Sequence, residues 1–258
     1  MKINKDKRIG NVLFIVEGSK TEFIILRKIF CNLLNYTYIE KRRNKLHSFY
    51  KENDIYSKIA VINTRESNIS DITLGQEYLD DVFKYLIEEC NFPVDDCAIY
   101  YLFDRAPKSN TDSDLILNYI RELRNPYENE NLKAGQLLLS YPAFESFFIS
   151  CFIDNSYNLN ESLTEDKKIH IGNELKTYIG TIKEIQTNKI HDHSLMHATN
   201  EFIQFLIDNK INFDIDNFSN ASEQIFMLQE EMFANKQYYA LFSMLTLAFL
   251  QLGIVEAE

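Results

Sequence analysis

Residues 12–16, with the sequence VLFIV, are the feature that most constrains the fold of this 258-residue chain. A continuous apolar run rich in β-branched side chains is typical of a strand that is covered on both faces, as in a parallel sheet. Glu17 and Gly18 follow at once, and a mainly apolar segment then runs from Phe23 to about Asn35. We therefore predict a buried strand, a tight turn at Gly18 and a helix, with Glu17 at the carboxyl edge of the sheet.

The same alternation continues through the first half of the chain. Three further strands are predicted at 59–63, 98–103 and 136–140, and two helices at 78–89 and 112–124. Strands and helices that alternate across short loops favour right-handed crossovers and a parallel sheet. The predicted fold class is therefore α/β, with a parallel sheet flanked by helices in residues 1–155.

From residue 143 onwards the strand signals stop. We predict a loop or lid at 154–168 and helices at 144–152, 169–186, 195–210, 219–234 and 236–252. The last two helices are strongly apolar, as expected if they cover the sheet or form the interface of a homodimer. Residues 156–258 are thus predicted to be a helical C-terminal region that covers the sheet, supports dimerisation or docks a partner.

Composition limits the partners that the chain can bind. The hydrophobic content of 45% is enough for a sizeable core. The net charge of −11 argues against a surface that binds nucleic acid over its whole extent, because phosphate contacts need clustered Lys and Arg. Any nucleic-acid contact must be local, at 2–8, 20–28 or 40–45, and ordinary solvated charge is the alternative for each of these segments.

Cysteine usage and hydropathy bear on the location of the protein. Cys31, Cys90, Cys97 and Cys151 are far apart and form no CxxC pair, so neither a structural zinc site nor a redox motif is indicated. The amino-terminal segment is charged, and the apolar run after it, of about six residues, is much shorter than a membrane span. We expect a cytoplasmic protein with free thiols and no contact with a membrane.

Two carboxylates follow predicted strands: Glu17 follows 12–16, and Asp104 follows 98–103. Because ligands bind outside the carboxyl ends of parallel strands, the two side chains are expected at one edge of the sheet. Two carboxylates there make a hard oxygen site that suits Mg²⁺ or Mn²⁺. A single acidic residue after a strand is also common as a turn or cap residue, and this alternative stays open for each.

Three segments resemble motifs of a known family. VLFIVEGSKTE, from residue 12, resembles the first motif of Toprim domains, and in particular the version in RloB-like and related bacterial defence proteins. YLFDR at 101–105 resembles the second motif, an apolar strand that ends in Asp-x-Asp. SYPAFE at 140–145 resembles the RloB-like motif Ser-Asn-Pro-x-Phe-Glu, which precedes an apolar helix. The resemblance covers residues 10–155.

The resemblance implies a nuclease that hydrolyses phosphodiester bonds. In Toprim chemistry the Glu of the first motif acts as general acid or base, and the Asp-x-Asp pair holds one or two divalent cations that activate water and neutralise the developing charge. Glu17 would take the first role, Asp104 the second, and Glu145 a further role at the same site. The expected cofactor is Mg²⁺ or Mn²⁺.

The resemblance also implies a biological setting. The chain would be an antiphage effector, a toxin of abortive infection, that works beside a partner ATPase, since it has no GxxxxGK[ST] loop of its own. Given the acidic surface, we expect a structured RNA such as tRNA, bound at a local basic patch, ahead of DNA. The rival hypothesis is a non-catalytic regulatory subunit that uses the same scaffold to dock a partner ATPase.

One position departs from the family pattern. Ala106 stands where the second Asp of Asp-x-Asp is expected, and alanine cannot bind a metal. Asp112 or Asp114 could reach the metal instead, although both also suit the amino-terminal end of a helix. Alternatively, the alanine is a substitution that disables a toxic nuclease, or this lineage has lost cleavage and kept binding.

Several other side chains have both a functional and a structural interpretation. Glu145 begins a predicted helix, where the helix dipole favours an acidic residue, but it also follows a strand at the predicted site. Lys20 and Arg105 could contact a phosphate; the alternatives are a solvated lysine and an arginine paired with a carboxylate. Lys108, in a polar loop, is a further candidate for contact with nucleic acid.

Two more clusters are candidates for binding. Arg42 and Arg43 lie in the basic segment 40–45 and are predicted to contact nucleic acid. His191, His193 and His197 could hold a metal or contact RNA, since positions 193 and 197 are one helical turn apart, but no HExxH pattern accompanies them. A surface or helix-cap role is the simpler interpretation of these histidines.

Overall fold

A computed structural model describes residues 1–18, 20–41, 46–63, 69, 83–128 and 135–256. The strands are β1 Lys2–Ile3, β2 Asn11–Val16, β3 Thr37–Lys41, β4 Leu46–Lys51, β5 Asp54–Asn63, β6 Cys97–Asp104, β7 Arg124–Asn125, β8 Gly135–Tyr141, β9 Phe242–Ser243 and β10 Val255–Glu256. The helices are α1 Thr21–Arg27, α2 Ser113–Glu122, α3 Ser146–Ser150, α4 Leu159–Ser162, α5 Gly172–Thr181, α6 Asp192–Asp208, α7 Ser219–Lys236 and α8 Leu245–Gln251. A π-helical turn, Lys28–Leu33, continues α1, and residues 83–88 are also helical.

The predicted fold class is confirmed: the chain is α/β, with helices flanking a central sheet and a helical C-terminal part. The strand order is β3-β4-β5-β2-β6-β8-β7, and β9 also pairs with β8. Strand β2 is parallel to both β5 and β6, so that Val16 lies opposite Asn63 on one side and Leu102 on the other. The sheet is mixed because β3 and β4 are antiparallel to their neighbours, as are β7 and β9.

The β3–β4 hairpin was missed by the sequence pattern. In β4 the buried side chains are Leu46 and Phe49, three residues apart, so the strand lacks the two-residue alternation that identifies most half-buried strands. A shift of register between Tyr50 and Lys51 interrupts the pairing further. Strand β5 is also longer than predicted, because its first residues pair with this hairpin.

The chain forms two compact units. We call Met1–Asn4, Phe103–Ser113 and Leu138–Glu258 the helical unit, and Lys5–Leu102 with Asp114–Leu137 the sheet unit. The division into domains at residue 155 stays a prediction. Among the described helices, none combines the length and the hydropathy that crossing a bilayer requires.

The core of the sheet unit is built around β2, whose residues Val12 to Val16 are essentially inaccessible to solvent. Phe14 stacks on Tyr100 of β6, with ring centroids 5.5 Å apart, and packs against Phe30 at 5.8 Å. Burying each such side chain contributes about 1.5–3 kcal/mol to folding. The run that predicts the strand is therefore also what holds this unit together.

Two sequence predictions in the helical unit are wrong. The predicted helix at 236–252 begins only at Leu245, because Gln237 takes a left-handed conformation and β9 pairs with the end of β8. The predicted loop at 154–168 contains α4 and two 3-10 turns. Asn160 fixes this segment by bonding both backbone groups of Ile169 and the carbonyl of Tyr239.

Gly135 should be the glycine least tolerant of substitution. Its φ is +116°, and a Cβ there would lie 2.8 Å from the carbonyl oxygen of Ile99. We expect Gly135→Ala to lower the free energy of unfolding by about 2–4 kcal/mol, from backbone strain and overpacking together. The measurement is urea unfolding. Gly180→Ala is the control, because nothing surrounds that helical position, and it should be neutral or stabilising by about 0.5 kcal/mol.

Candidate active site

Glu17 lies directly after β2 in the sheet unit, and the strands on both sides fix its backbone. Its amide donates a hydrogen bond of 3.1 Å to the carbonyl of Leu102, and its carbonyl accepts one of 2.7 Å from the side-chain amide of Asn63. The side chain is half-buried. The predicted position of Glu17 at the end of the buried strand is therefore correct.

The turn after Glu17 is closed by a buried carboxylate. The amide of Gly18 donates to Oε1 of Glu22 at 3.0 Å, and Glu22 is itself buried in the first turn of α1. A Cβ at position 18 would lie 2.2 Å from the Glu22 carboxylate, so any other residue there would displace this carboxylate from its bond with the Gly18 amide. Lys20 is exposed immediately before α1, which is compatible with either of its predicted roles.

Asp104 is the last residue of β6, and other residues of the helical unit bond to both its side chain and its backbone. Oδ1 accepts a hydrogen bond of 2.6 Å from the amide of Phe144, and the backbone carbonyl accepts one of 3.1 Å from the side chain of Asn110. The amide of Arg105 donates to the carbonyl of Ser140 at 2.8 Å. These bonds bring the carboxyl ends of β6 and β8 together, with Asp104 between them.

Glu145 immediately follows the residue that holds Asp104. It directly precedes the short helix α3, and only 6% of its surface is exposed. Its Oε1 lies 3.5 Å from Nζ of Lys176 on α5. Asp104 and Glu145 thus lie at the ends of neighbouring strands within one unit, as their sequence positions predict.

Arg105 does not have the exposure that its predicted contact with nucleic acid needs. Only 2% of its surface is accessible, and Nε and Nη2 each donate a bond of 2.7 Å to the Glu230 carboxylate on α7. Further bonds run from Nη1 to the carbonyl of Asn110 and from Nη2 to the hydroxyl of Ser113. The alternative interpretation, an arginine paired with a carboxylate, is the one that the structure shows.

The charge state of this pair follows from its surroundings. Burial disfavours the charged guanidinium, but the hydrogen bonds and the charge of Glu230 outweigh burial and raise the pKa of Arg105 above its ordinary value. Tyr239 donates its hydroxyl to Oε1 of Glu230 at 3.2 Å, and burial raises the pKa of this tyrosine, so the hydroxyl stays protonated. No local sequence pattern identifies Glu230 as the partner of Arg105, because the two residues are 125 positions apart.

Ala106 occupies a tight turn with an unusual backbone conformation. Its φ is +35°, in the left-handed region, where aspartate and asparagine are enriched relative to alanine. The amide donates to the carbonyl of Pro142 at 3.1 Å, and the carbonyl accepts from the amides of Ser109 and Asn110. Alanine is therefore less suited than aspartate or asparagine to the backbone conformation at this position.

The other predicted site residues have varied surroundings. Asp112 and Asp114 are exposed at the beginning of α2, where the helix dipole favours acidic side chains, and their contribution to a metal site stays a prediction. Lys108 is exposed. Arg42 and Arg43 lie outside the described residues.

The rings of His191 and His193 contact each other, with centroids 6.3 Å apart, whereas His197 has other partners. His191 caps α6, and its Nδ1 accepts a bond from the amide of Ser194, in agreement with the predicted cap role. His193 is exposed on the first turn of the helix. His197 instead bonds to Ser150 and Asp154, which precede the helix by about forty residues.

Comparisons with known proteins do not assign this chain to a family. No family model matches it, and no curated protein matches it. Among solved structures, it is similar to a hypothetical protein of Pyrococcus horikoshii OT3, with 12% identity and a TM-score of 0.33 over 88% of this chain and 91% of that one. A TM-score this low supports no conclusion about fold or function.

Removal of the buried guanidinium of Arg105 should destabilise the folded protein. We expect Arg105→Ala to lower the free energy of unfolding by about 3–5 kcal/mol, because Glu230 is left without its cation. Arg124→Ala is the matched control: Arg124 also pairs with a glutamate, Glu128, but is 56% exposed, so the loss should be below about 1 kcal/mol. Chemical denaturation measures both, and similar losses would contradict this interpretation.

Backbone strain at Ala106 leads to a separate prediction. Ala106→Gly should leave stability unchanged or raise it by up to about 1 kcal/mol, because relief of the left-handed strain offsets the extra entropy of glycine in the unfolded chain. Ala234→Gly, at an exposed position in α7, should instead cost about 1 kcal/mol. Thermal and urea unfolding compare the two, and an equal loss at both positions would rule out strain at Ala106.

Proposed function

We propose that this chain is a metal-dependent nuclease of the Toprim kind that hydrolyses phosphodiester bonds. The observation that supports the proposal most is the fixed carboxylate of Asp104, which is held by the amide of Phe144, the residue before Glu145. Two carboxylates at the ends of neighbouring strands are the donor set expected for Mg²⁺ or Mn²⁺. The type of reaction, phosphodiester hydrolysis, is proposed because the three sequence motifs occur in the same order as in Toprim nucleases.

Each residue has a proposed role in this reaction. Asp104 and Glu145 would hold the cation, which supplies activation of water and neutralisation of charge on the phosphate. Glu17 would act as general acid or base, and the bonds to its backbone would keep it in place. The exposed Lys20 and Lys108 would contact phosphates of the substrate.

The proposed substrate is a structured RNA such as tRNA rather than DNA. A chain with a net charge of −11 cannot bind a long duplex through its general surface, so contact is proposed at a local basic patch that includes Arg42 and Arg43. The proposed setting is the cytoplasm, where the chain would act as an antiphage effector. There it would form a homodimer controlled by a partner ATPase.

One observation favours a second candidate function. Position 106 has no carboxylate, and the turn around it is held by the hydrogen bonds that Arg105 donates to Glu230 and Asn110. A scaffold that keeps its shape in this way could serve as a non-catalytic subunit that docks a partner ATPase. Restoring the missing carboxylate distinguishes the two functions.

The experiment compares cleavage of tRNA and plasmid DNA with Mg²⁺ or Mn²⁺. We expect Ala106→Asp to cleave about tenfold or more faster than the original chain, because a second carboxylate improves cation binding. Adding Asp104→Asn, Glu145→Gln or Glu17→Gln to Ala106→Asp should remove this gain. Asp216→Asn, an exposed residue outside the site, should leave it intact.

A negative result would be equally informative. The Ala106→Asp variant is first shown to be folded by circular dichroism. If it then cleaves no substrate faster than the double variant, Ala106→Asp with Glu17→Gln, the nuclease proposal is wrong. The binding-subunit hypothesis would then be preferred.

A further inference from the structure

A second group of potential ligands lies elsewhere in the helical unit. Asp154, in the segment after α3, meets His197 and Glu201 of α6, and one ligand atom from each lies within 4.8 Å of the others. His197 and Glu201 are four residues apart, so they share one face of the helix. We call these three residues the His197 cluster.

The imidazole of His197 is held in one orientation. Its Nδ1 lies 2.7 Å from the carbonyl oxygen of Ser150, which can only accept, so Nδ1 carries a proton. Nε2 then faces Oδ1 of Asp154 at 2.8 Å. Histidines that bind metals typically donate their other ring N–H to a carbonyl or carboxylate in this way, which fixes the tautomer.

The carboxylate of Glu201 is also fixed before any ion binds. Its Oε1 accepts from the amide of Asn155 at 3.0 Å, and its Oε2 accepts from the amide and hydroxyl of Ser156 at 2.6 and 2.8 Å. Oε2 accepts two bonds and Oε1 only one, so one lone-pair site of Oε1 remains for a cation. The side chain of Asp154 is 98% exposed, which leaves a path from solvent.

We propose that Asp154, His197 and Glu201 bind a divalent transition-metal ion of the Zn²⁺ type. Zinc accepts imidazole nitrogen and carboxylate oxygen at about 2.0–2.2 Å, and ligands at that range in a tetrahedral site lie roughly 3.3–3.6 Å apart. Nε2 and Oδ1 are 2.8 Å apart, so the exposed Asp154 side chain would move by about 0.5–0.8 Å to bind the ion. An imidazole among the ligands favours such an ion over Mg²⁺ or Ca²⁺.

Three protein ligands and an open side leave one coordination position for water or another small ligand. The ion would take the place of the hydrogen bond between Nε2 and Asp154 and would join the segment at 154–156 to α6. This site involves none of the residues proposed for phosphodiester hydrolysis, so it does not depend on that proposal.

The test is calorimetric titration of the metal-free chain with Zn²⁺ at neutral pH. We expect one Zn²⁺ per chain at the His197 cluster, in addition to any that binds at the proposed Mg²⁺ site, and an affinity for the cluster at least about tenfold weaker in His197→Gln and in Asp154→Asn. His193→Gln, at an exposed histidine one turn earlier on α6, should bind as tightly as the original chain. Asp104→Asn should too, which separates this site from the proposed Mg²⁺ site.

A second measurement covers the case in which His197→Gln does not fold. Zn²⁺ should then raise the melting temperature of the original chain and of His193→Gln, while Asp154→Asn, altered only at an exposed side chain, should show a smaller rise or none. The proposal is overturned if the original chain shows no saturable binding below 1 mM Zn²⁺, about −4.1 kcal/mol. It is also overturned if folded Asp154→Asn or His197→Gln binds Zn²⁺ as tightly as the original chain.

Discussion

The ion pair between Arg105 and Glu230 fixes the turn after β6, directly after Asp104 of the proposed active site. A guanidinium that is removed from water is tolerated only when its charge and its N–H donors are satisfied, and here two bonds to Glu230 are joined by bonds to Asn110 and Ser113. The turn after β6 therefore has little freedom. Its position relative to α7 is decided by a buried charge rather than by the turn's own sequence.

This constraint explains how an unfavourable backbone conformation persists at Ala106. Residues in sparsely populated regions survive when their surroundings determine them, and the residue next to Ala106 is the buried arginine itself. The same rigidity orients Asp104, since the amide of Phe144 can reach its carboxylate only if β6 and β8 end together. Asp104 would then need no ordering when a cation binds at the proposed site, which favours affinity.

The two sets of metal ligands proposed in the helical unit differ in their chemistry. Asp104 and Glu145 supply only oxygen, which suits a hard cation exchanging between water and phosphate. The His197 cluster adds an imidazole, and its Glu201 is held by backbone amides of a neighbouring segment. A unit of this kind could separate a catalytic ion from one that secures its own structure.

The sequence by itself determined the parts of this protein that depend on neighbouring residues. The apolar runs in β2, β6 and β8 predict buried strands, and Glu17, Asp104 and Glu145 follow them in the predicted places. Only the tertiary structure decided that Arg105 is buried and that His197 meets Asp154 rather than His193. Side-chain periodicity encodes local conformation, whereas partners such as Glu230, 125 residues from Arg105, are chosen by how distant elements pack, and no local pattern records that choice.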